Sequence, residues 1–275
     1  NATIAGGSIL FDSEVGGGIV DLARMDPKGP DIRRIRGREI AMIFQEPMTS
    51  FSPVYTIGNQ IQEVIRLHQG VDDKVARDRA LTMLGRVGIP RPDVRIDAYP
   101  HQLSGGLRQR AMMAMALACS PKLLLADEPT TALDVTIQAQ ILRLIKDMTR
   151  DIGMSVILIT HDLGVVAEMA DTVAVMYLGK LVERAPVREL FYNPKHPYTQ
   201  ALLKSIPAID RPRGTGGRLK SIRGVVPDAH NIPPGCPFHT RCDYFMKGKC
   251  EVAEPAFKPI NGEHFVSCFL MDEEY

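Results

Sequence analysis

The 275-residue sequence predicts an α/β fold: a mainly parallel sheet, an inserted helical subdomain and a small cysteine-bearing C-terminal lobe. Three observations carry this. Continuous apolar runs at Leu123–Ala126, Val156–Ile159 and Val173–Met176 are interleaved with helical periodicity, the pattern of a parallel sheet covered on both faces. A helix-rich stretch, residues 47–119, precedes them. Four of the five cysteines lie beyond residue 235, after a proline- and glycine-rich linker.

Bulk properties narrow the class. Hydrophobic residues make up 45% and charged residues 24%, ordinary for a soluble globular protein. A net charge of +1 gives no field that favours nucleic acid. The longest apolar run, Ala111–Cys119, is far short of the roughly 20 residues that span a bilayer. Asn1–Ile4 has neither the basic start nor the apolar segment of a signal peptide. The chain does not begin with Met, which reads as a processed or truncated start. An odd number of cysteines points to thiols or metal ligands rather than a disulfide framework.

Taken in order, Ile9–Phe11 and Ile40–Phe44 are strand candidates among glycine turns. Pro47 and Pro53 bracket a loop. Ile61, Val64, Ile65 and His68 then share a helical face, and a second helix runs from about Asp73 to Val87, ended by Gly88. Residues 104–119 read as a helix apolar on most sides, hence buried. Ile137, Ile141, Leu144, Ile145 and Met148 form one face of a further helix. Pro207, Pro212, Gly214, Gly216 and Gly217 mark the linker.

Polar groups at strand ends carry the chemistry. Asp127 and Glu128 follow an apolar strand, at the edge where open parallel sheets bind ligands. An Asp there suits Mg2+, which prefers oxygen ligands and keeps part of its water shell. A neighbouring Glu can orient or deprotonate a water. Two acids at a strand end are by themselves more often merely solvated; Pro129–Asp134 behind them tips the balance. Gln45 and His161 end two more strands, and three such ends converging are harder to explain blandly than one. Ser104, Gly105 and Gly106 open a helix, where free N–H groups favour an anion such as a phosphate. Ser104 as a plain N-cap is the commoner explanation. Arg108 and Arg110 suit either an anionic neighbour or a solvated face.

These motifs, in order, resemble an ABC transporter ATP-binding subunit: Gln45–Ser50 as Q-loop, Leu103–Gly106 as signature, Leu123–Glu128 as Walker B, Ala132–Asp134 as D-loop and His161 as H-loop. The run Arg36–Ser50, and His196–Thr199 ahead of a cysteine-bearing tail, narrow the resemblance to the oligopeptide/dipeptide importers and their nickel-importing relatives. The resemblance implies a P-loop NTPase-like (RecA-like) core in residues 1–46 and 120–205, a helical signature subdomain in 47–119 and an importer-type C-terminal lobe in 206–275. It implies an ATPase that pairs head-to-tail with a second ATPase subunit, a paralogue or itself. Two transmembrane permease subunits and an extracytoplasmic solute-binding protein complete the assembly, which places the chain at the cytoplasmic face of the cell membrane.

On this chain, the resemblance makes Asp127 the Mg2+ residue and Glu128 the polariser of the attacking water. His161 touches the terminal phosphate. Gln45 helps bind Mg2+ and relays the state to the membrane subunits. Ser104, Gly105 and Gly106 grip the partner's ATP, and Asp134 sits at the dimer seam or caps the following helix. The alternatives are a non-catalytic partner subunit, or an ATPase importing nickel or another solute.

The family's G-x-x-x-x-G-K-[ST] phosphate loop does not occur in the sequence; the resemblance places it N-terminal to Asn1. Gly16–Gly18 lacks the lysine and is no substitute. The chain alone is therefore expected to bind ATP poorly and to be inactive. Leu107 stands where many relatives carry Gln, a change expected to alter packing. Cys236, Cys242, Cys250 and Cys268 have spacing unlike paired zinc motifs. Some importer ATPases hold a [4Fe–4S] cluster in such a tail; Zn2+, with His239 as a further ligand, and free thiols are the alternatives. Cys119 reads as core.

Overall fold

The computed structural model describes residues 3–45, 51–131, 134–205 and 222–272. Glu46–Ser50, Ala132, Leu133 and the linker around Pro207–Gly217 lie outside them. The chain divides into two compact units, Asn1–Leu163 and Gly164–Tyr275.

The first unit opens with β1 (Leu10–Ser13) and β2 (Gly18–Asp21), an antiparallel hairpin. Glu14–Gly17 form its turn. α1 (Pro30–Ile35) leads to β3 (Ile40–Ile43). Glu39, 4% exposed, ties hairpin to strand by accepting from the Ser13 hydroxyl at 2.5 Å and the Glu14 N–H at 2.8 Å.

Three helices follow and pack on one another: α2 (Ile57–Gln69), α3 (Asp73–Arg86) and α5 (Gly105–Leu117), with the single turn α4 (Pro92–Arg95) between. Their ends are written locally. Thr56 and Asp72 accept from the N–H groups of Asn59 and Val75, and Gly70 and Gly88 turn left-handed after α2 and α3. Ile61, Ile65, Leu84, Met112, Met113 and Leu117 fill the space between. α5 buries Gln109, Ala111, Met112, Met113, Ala114 and Leu117, which lie on more than one face, as its composition predicts.

β4 (Leu123–Asp127), α6 (Val135–Ile152) and β5 (Ser155–Ile159) complete the unit. β3, β4 and β5 form a parallel sheet with β4 central. Ile43 pairs with Ala126, and Ala126 with Leu158, so all three C-terminal ends share one edge. Ala41, Ile43, Leu124 and Ala126 are buried, with α5 against β3. On the opposite face Met42, Ile157 and Ile159 stay 38%, 52% and 50% exposed. The expectation of two covered faces thus holds for one face among the described residues.

The second unit departs further from expectation. After α7 (Leu163–Met169) comes β6 (Thr172–Tyr177), whose described partner is antiparallel rather than parallel. It pairs antiparallel with β7 (Lys180–Pro186). The cause is the two-residue turn Leu178–Gly179, with φ of +47° and +76°, the backbone of a type I′ hairpin. α8 (Val187–Tyr192) and α9 (Pro197–Lys204) follow, and β8 (Lys258–Asn261) and β9 (His264–Val266) complete a sheet ordered β6-β7-β9-β8. Tyr177, Val182, Ala185, Leu190 and Phe238 form its core. Arg241, 9% exposed, holds the chain that leaves the linker by donating to the Arg223 carbonyl at 2.9 Å and the Tyr177 hydroxyl at 3.2 Å. No helix of the described residues is long and apolar enough to cross a membrane.

Candidate active site

The shared edge of β3, β4 and β5 gathers the strand-end residues. Asp127 closes β4 opposite Ile159. Glu128, the next residue, has φ +43° and donates its N–H to the Ile159 carbonyl at 2.9 Å, so pairing with β5 continues into the turn. That backbone aims the carboxylate at three donors. Oε2 accepts from Gln45 Nε2 at 2.9 Å and from the Thr131 hydroxyl at 2.7 Å; Oε1 meets His161 Nδ1 at 2.9 Å. The Glu128 side chain is 21% exposed and the His161 ring 79%. Hydrogen bonding from Thr131, then from His161, holds the Glu128 carboxyl below the usual carboxylate range. It is therefore ionised at neutral pH, as a group that orients a water must be.

Gln45, Glu128 and His161 thus meet in space although 83 and 33 residues separate them from one another. Thr131 belongs to the same cluster and was missed by sequence reasoning. The signal was present: a Thr three residues after an acid, in a turn where the Thr131 N–H also bonds the Glu128 carbonyl.

The other candidates stand elsewhere. Ser104 sits at the N-cap of α5 with no side-chain cap bond, its hydroxyl unused by its own helix. Ser104 and Gly105 are exposed, and a Cβ on Gly105 would meet nothing within 4 Å. A Cβ on Gly106 would approach Ile137 Cγ2 to 3.2 Å, so the start of α5 packs closely on α6. Asp134 caps α6, accepting from the Ile137 N–H at 2.9 Å. Arg110 is neither an anion site nor a solvated residue: it donates to the Val87 carbonyl at 2.7 Å and to Gln140 Oε1 at 2.8 Å.

The cysteines of the second unit converge in part. Cys236, Cys242 and Cys250 are buried, Cys268 half-buried, all are free, and the four line one small cavity with Phe238, His239 and Phe269. Gly235, at φ +74°, permits this: a Cβ there would lie 2.4 Å from the Cys250 carbonyl. Burial pushes the Cys242 thiol up to about 11 and that of Cys268 to about 12. Beside the metal-ligand expectation for Cys236, Cys242, Cys250 and Cys268, no group of three or more His, Cys, Asp or Glu placed to hold a metal ion is seen among the described residues. Cys119 is core, near the Val64 carbonyl.

Known proteins bear on both units. Residues 6–131 match the family described as ABC transporter, and residues 182–250 that described as oligopeptide/dipeptide transporter, C-terminal region. The chain is 54% identical over 244 residues to the oligopeptide transport ATP-binding protein AppD of Bacillus subtilis, covering 89% of this chain and 73% of that one. It is 49% identical over 273 residues to the dipeptide transport ATP-binding protein DppD of the same organism, covering 99% and 78%. Among solved structures it resembles the ATP-binding cassette MJ0796, a dimer in a post-hydrolysis state bound to ADP and Pi. There the TM-score is 0.55, with 26% identity over 62% of this chain and 71% of that one.

Proposed function

The chain belongs to the ATP-binding subunits of oligopeptide and dipeptide ABC transporters, and we propose that it hydrolyses ATP to power peptide import. The observation that carries this is the Glu128 carboxylate held by Gln45, Thr131 and His161 at the strand edge. Glu128 polarises the water that attacks the terminal phosphate, and His161 contacts that phosphate. The donors present suit Mg2+: the Asp127 carboxylate and the Gln45 amide are oxygen ligands at one sheet edge. Mg2+ supplies charge neutralisation of the phosphates. Ser104, Gly105 and Gly106 meet the ATP of a second ATPase subunit through exposed N–H groups at the start of α5. Permease subunits and a solute-binding protein complete the importer, with this subunit at the cytoplasmic face of the membrane.

Glu128→Gln in the assembled transporter tests the reading. ATP hydrolysis falls by about 10²–10⁴-fold, the range of a lost general base, while ATP still binds. Unchanged hydrolysis would make this a non-catalytic partner subunit.

The C-terminal lobe has a second reading, as the holder of a metal centre. Its support is the convergence of Cys236, Cys242, Cys250 and Cys268 on one cavity. Iron, sulfide and zinc analysis of anaerobically purified protein separates [4Fe–4S] from Zn2+; absence of all three removes the reading.

A further inference from the structure

Gln109 is a buried polar side chain with no part in the site described so far. It lies in the second turn of α5, 2% exposed, and its Nε2 donates to the Pro129 carbonyl at 2.5 Å. Pro129 directly follows Glu128. Having no N–H, proline offers the fold only its carbonyl as a backbone handle. Glu128 itself holds φ +43°, a conformation that a non-glycine residue keeps only where its surroundings over-determine it. Two bonds flank it: its own N–H to the Ile159 carbonyl on one side, and the Gln109 amide on Pro129 on the other.

We infer that Gln109 is a positioning residue that fastens helix α5 to the turn aiming the Glu128 carboxylate. The same helix begins with Ser104, Gly105 and Gly106, and Gly106 packs against Ile137 too closely to admit a Cβ without a shift. A helix so constrained moves as a body. Displacement of its exposed start by an anion is therefore handed, through Gln109 and the Pro129 carbonyl, to Glu128. One side chain links the surface that grips one ATP to the carboxylate that acts on another. This rests on the reading of Glu128 as the hydrolytic group.

The test uses the assembled transporter with two substitutions. Gln109→Glu keeps the shape but, when ionised, sets an acceptor against the Pro129 carbonyl. Gln109→Met keeps the volume and removes the donor. Each lowers kcat by about tenfold or more while the KM for ATP stays within about twofold, because a mis-aimed carboxylate slows the chemical step and leaves ATP binding alone. In Gln109→Glu the introduced carboxyl, its pKa raised by burial, donates again once protonated. The kcat of that variant relative to the parent therefore recovers as pH falls from 8 to 6, and that of Gln109→Met does not. Should Gln109→Glu fail to fold, the split of kcat from KM in Gln109→Met decides. Parental kcat in a folded variant, with only a lower Tm, would overturn the inference. Glu128→Gln measured alongside keeps the two ideas apart: if it leaves hydrolysis intact, the premise about Glu128 fails instead.

Discussion

Replacing His264 by alanine removes the side chain that joins β9 to the fully buried carboxylate of Glu183. Glu183, on β7, is 0% exposed, and three donors reach it. His264 Nε2 and the Lys195 N–H each lie 2.7 Å from Oε1, and the His196 N–H lies 3.0 Å from Oε2. One carboxylate thus pins three segments: its own strand, the loop ahead of α9, and β9, which returns 81 residues later. His264→Ala leaves Oε1 with one partner of two. A buried hydrogen bond to a charged group is worth about 1.5–3 kcal/mol, and the emptied imidazole space adds to the loss. The expected destabilisation is about 3 kcal/mol, or a Tm lower by about 12 °C for a unit of this size. Thermal and urea unfolding of the full chain measure it. A double-mutant cycle with Glu183→Gln isolates the pair, with a coupling of about 1 kcal/mol or more expected. A Tm within about 2 °C of the parent, or a coupling near zero, would refute the idea that this contact holds the lobe.

Gly235→Ala places a Cβ 2.4 Å from the Cys250 carbonyl in a backbone at φ +74°. The left-handed conformation alone costs about 1–2 kcal/mol, so a loss above about 2 kcal/mol is expected, with faster labelling of Cys236 and Cys250 by a thiol reagent; an unchanged Tm would contradict it. Burial pushes the Cys119 thiol up to about 11, so native protein at pH 8 carries almost no thiolate there. Alkylation of Cys119 by iodoacetamide, followed by peptide mass spectrometry, is slow at pH 8 and climbs about tenfold per pH unit toward 11. Because the folded state favours the neutral thiol, the stability this group contributes is full below pH 9 and is lost as pH rises toward 11. Labelling at pH 8 as fast as that of a free thiol would count against the burial.

The sequence by itself determined the longer helices and the parallel strands of the first unit and the residue types at its active edge, but not the strand Gly18–Asp21 or the helix Pro30–Ile35. Gly88 reads as the end of the helix that starts at about Asp73 because caps and left-handed stops act within a few residues. Leu123–Ala126 and Val156–Ile159 read as strands because their runs are apolar, and Gln45, Asp127 and His161 read as site residues because they stand where strands stop. The tertiary structure alone decided partners. Local composition makes Val173–Met176 a strand, yet a turn with two positive φ values at Leu178 and Gly179 pairs it antiparallel with Lys180–Pro186. Nothing near Glu183 in sequence announces His264, nor does anything near Gln109 announce Pro129. The four thiols shared a tail in the sequence, but only packing around Phe238 set them on one cavity. Periodicity and caps are fixed by neighbours a few residues away, whereas a buried hydrogen bond is fixed by whichever distant group arrives, with the right geometry, once the core has closed.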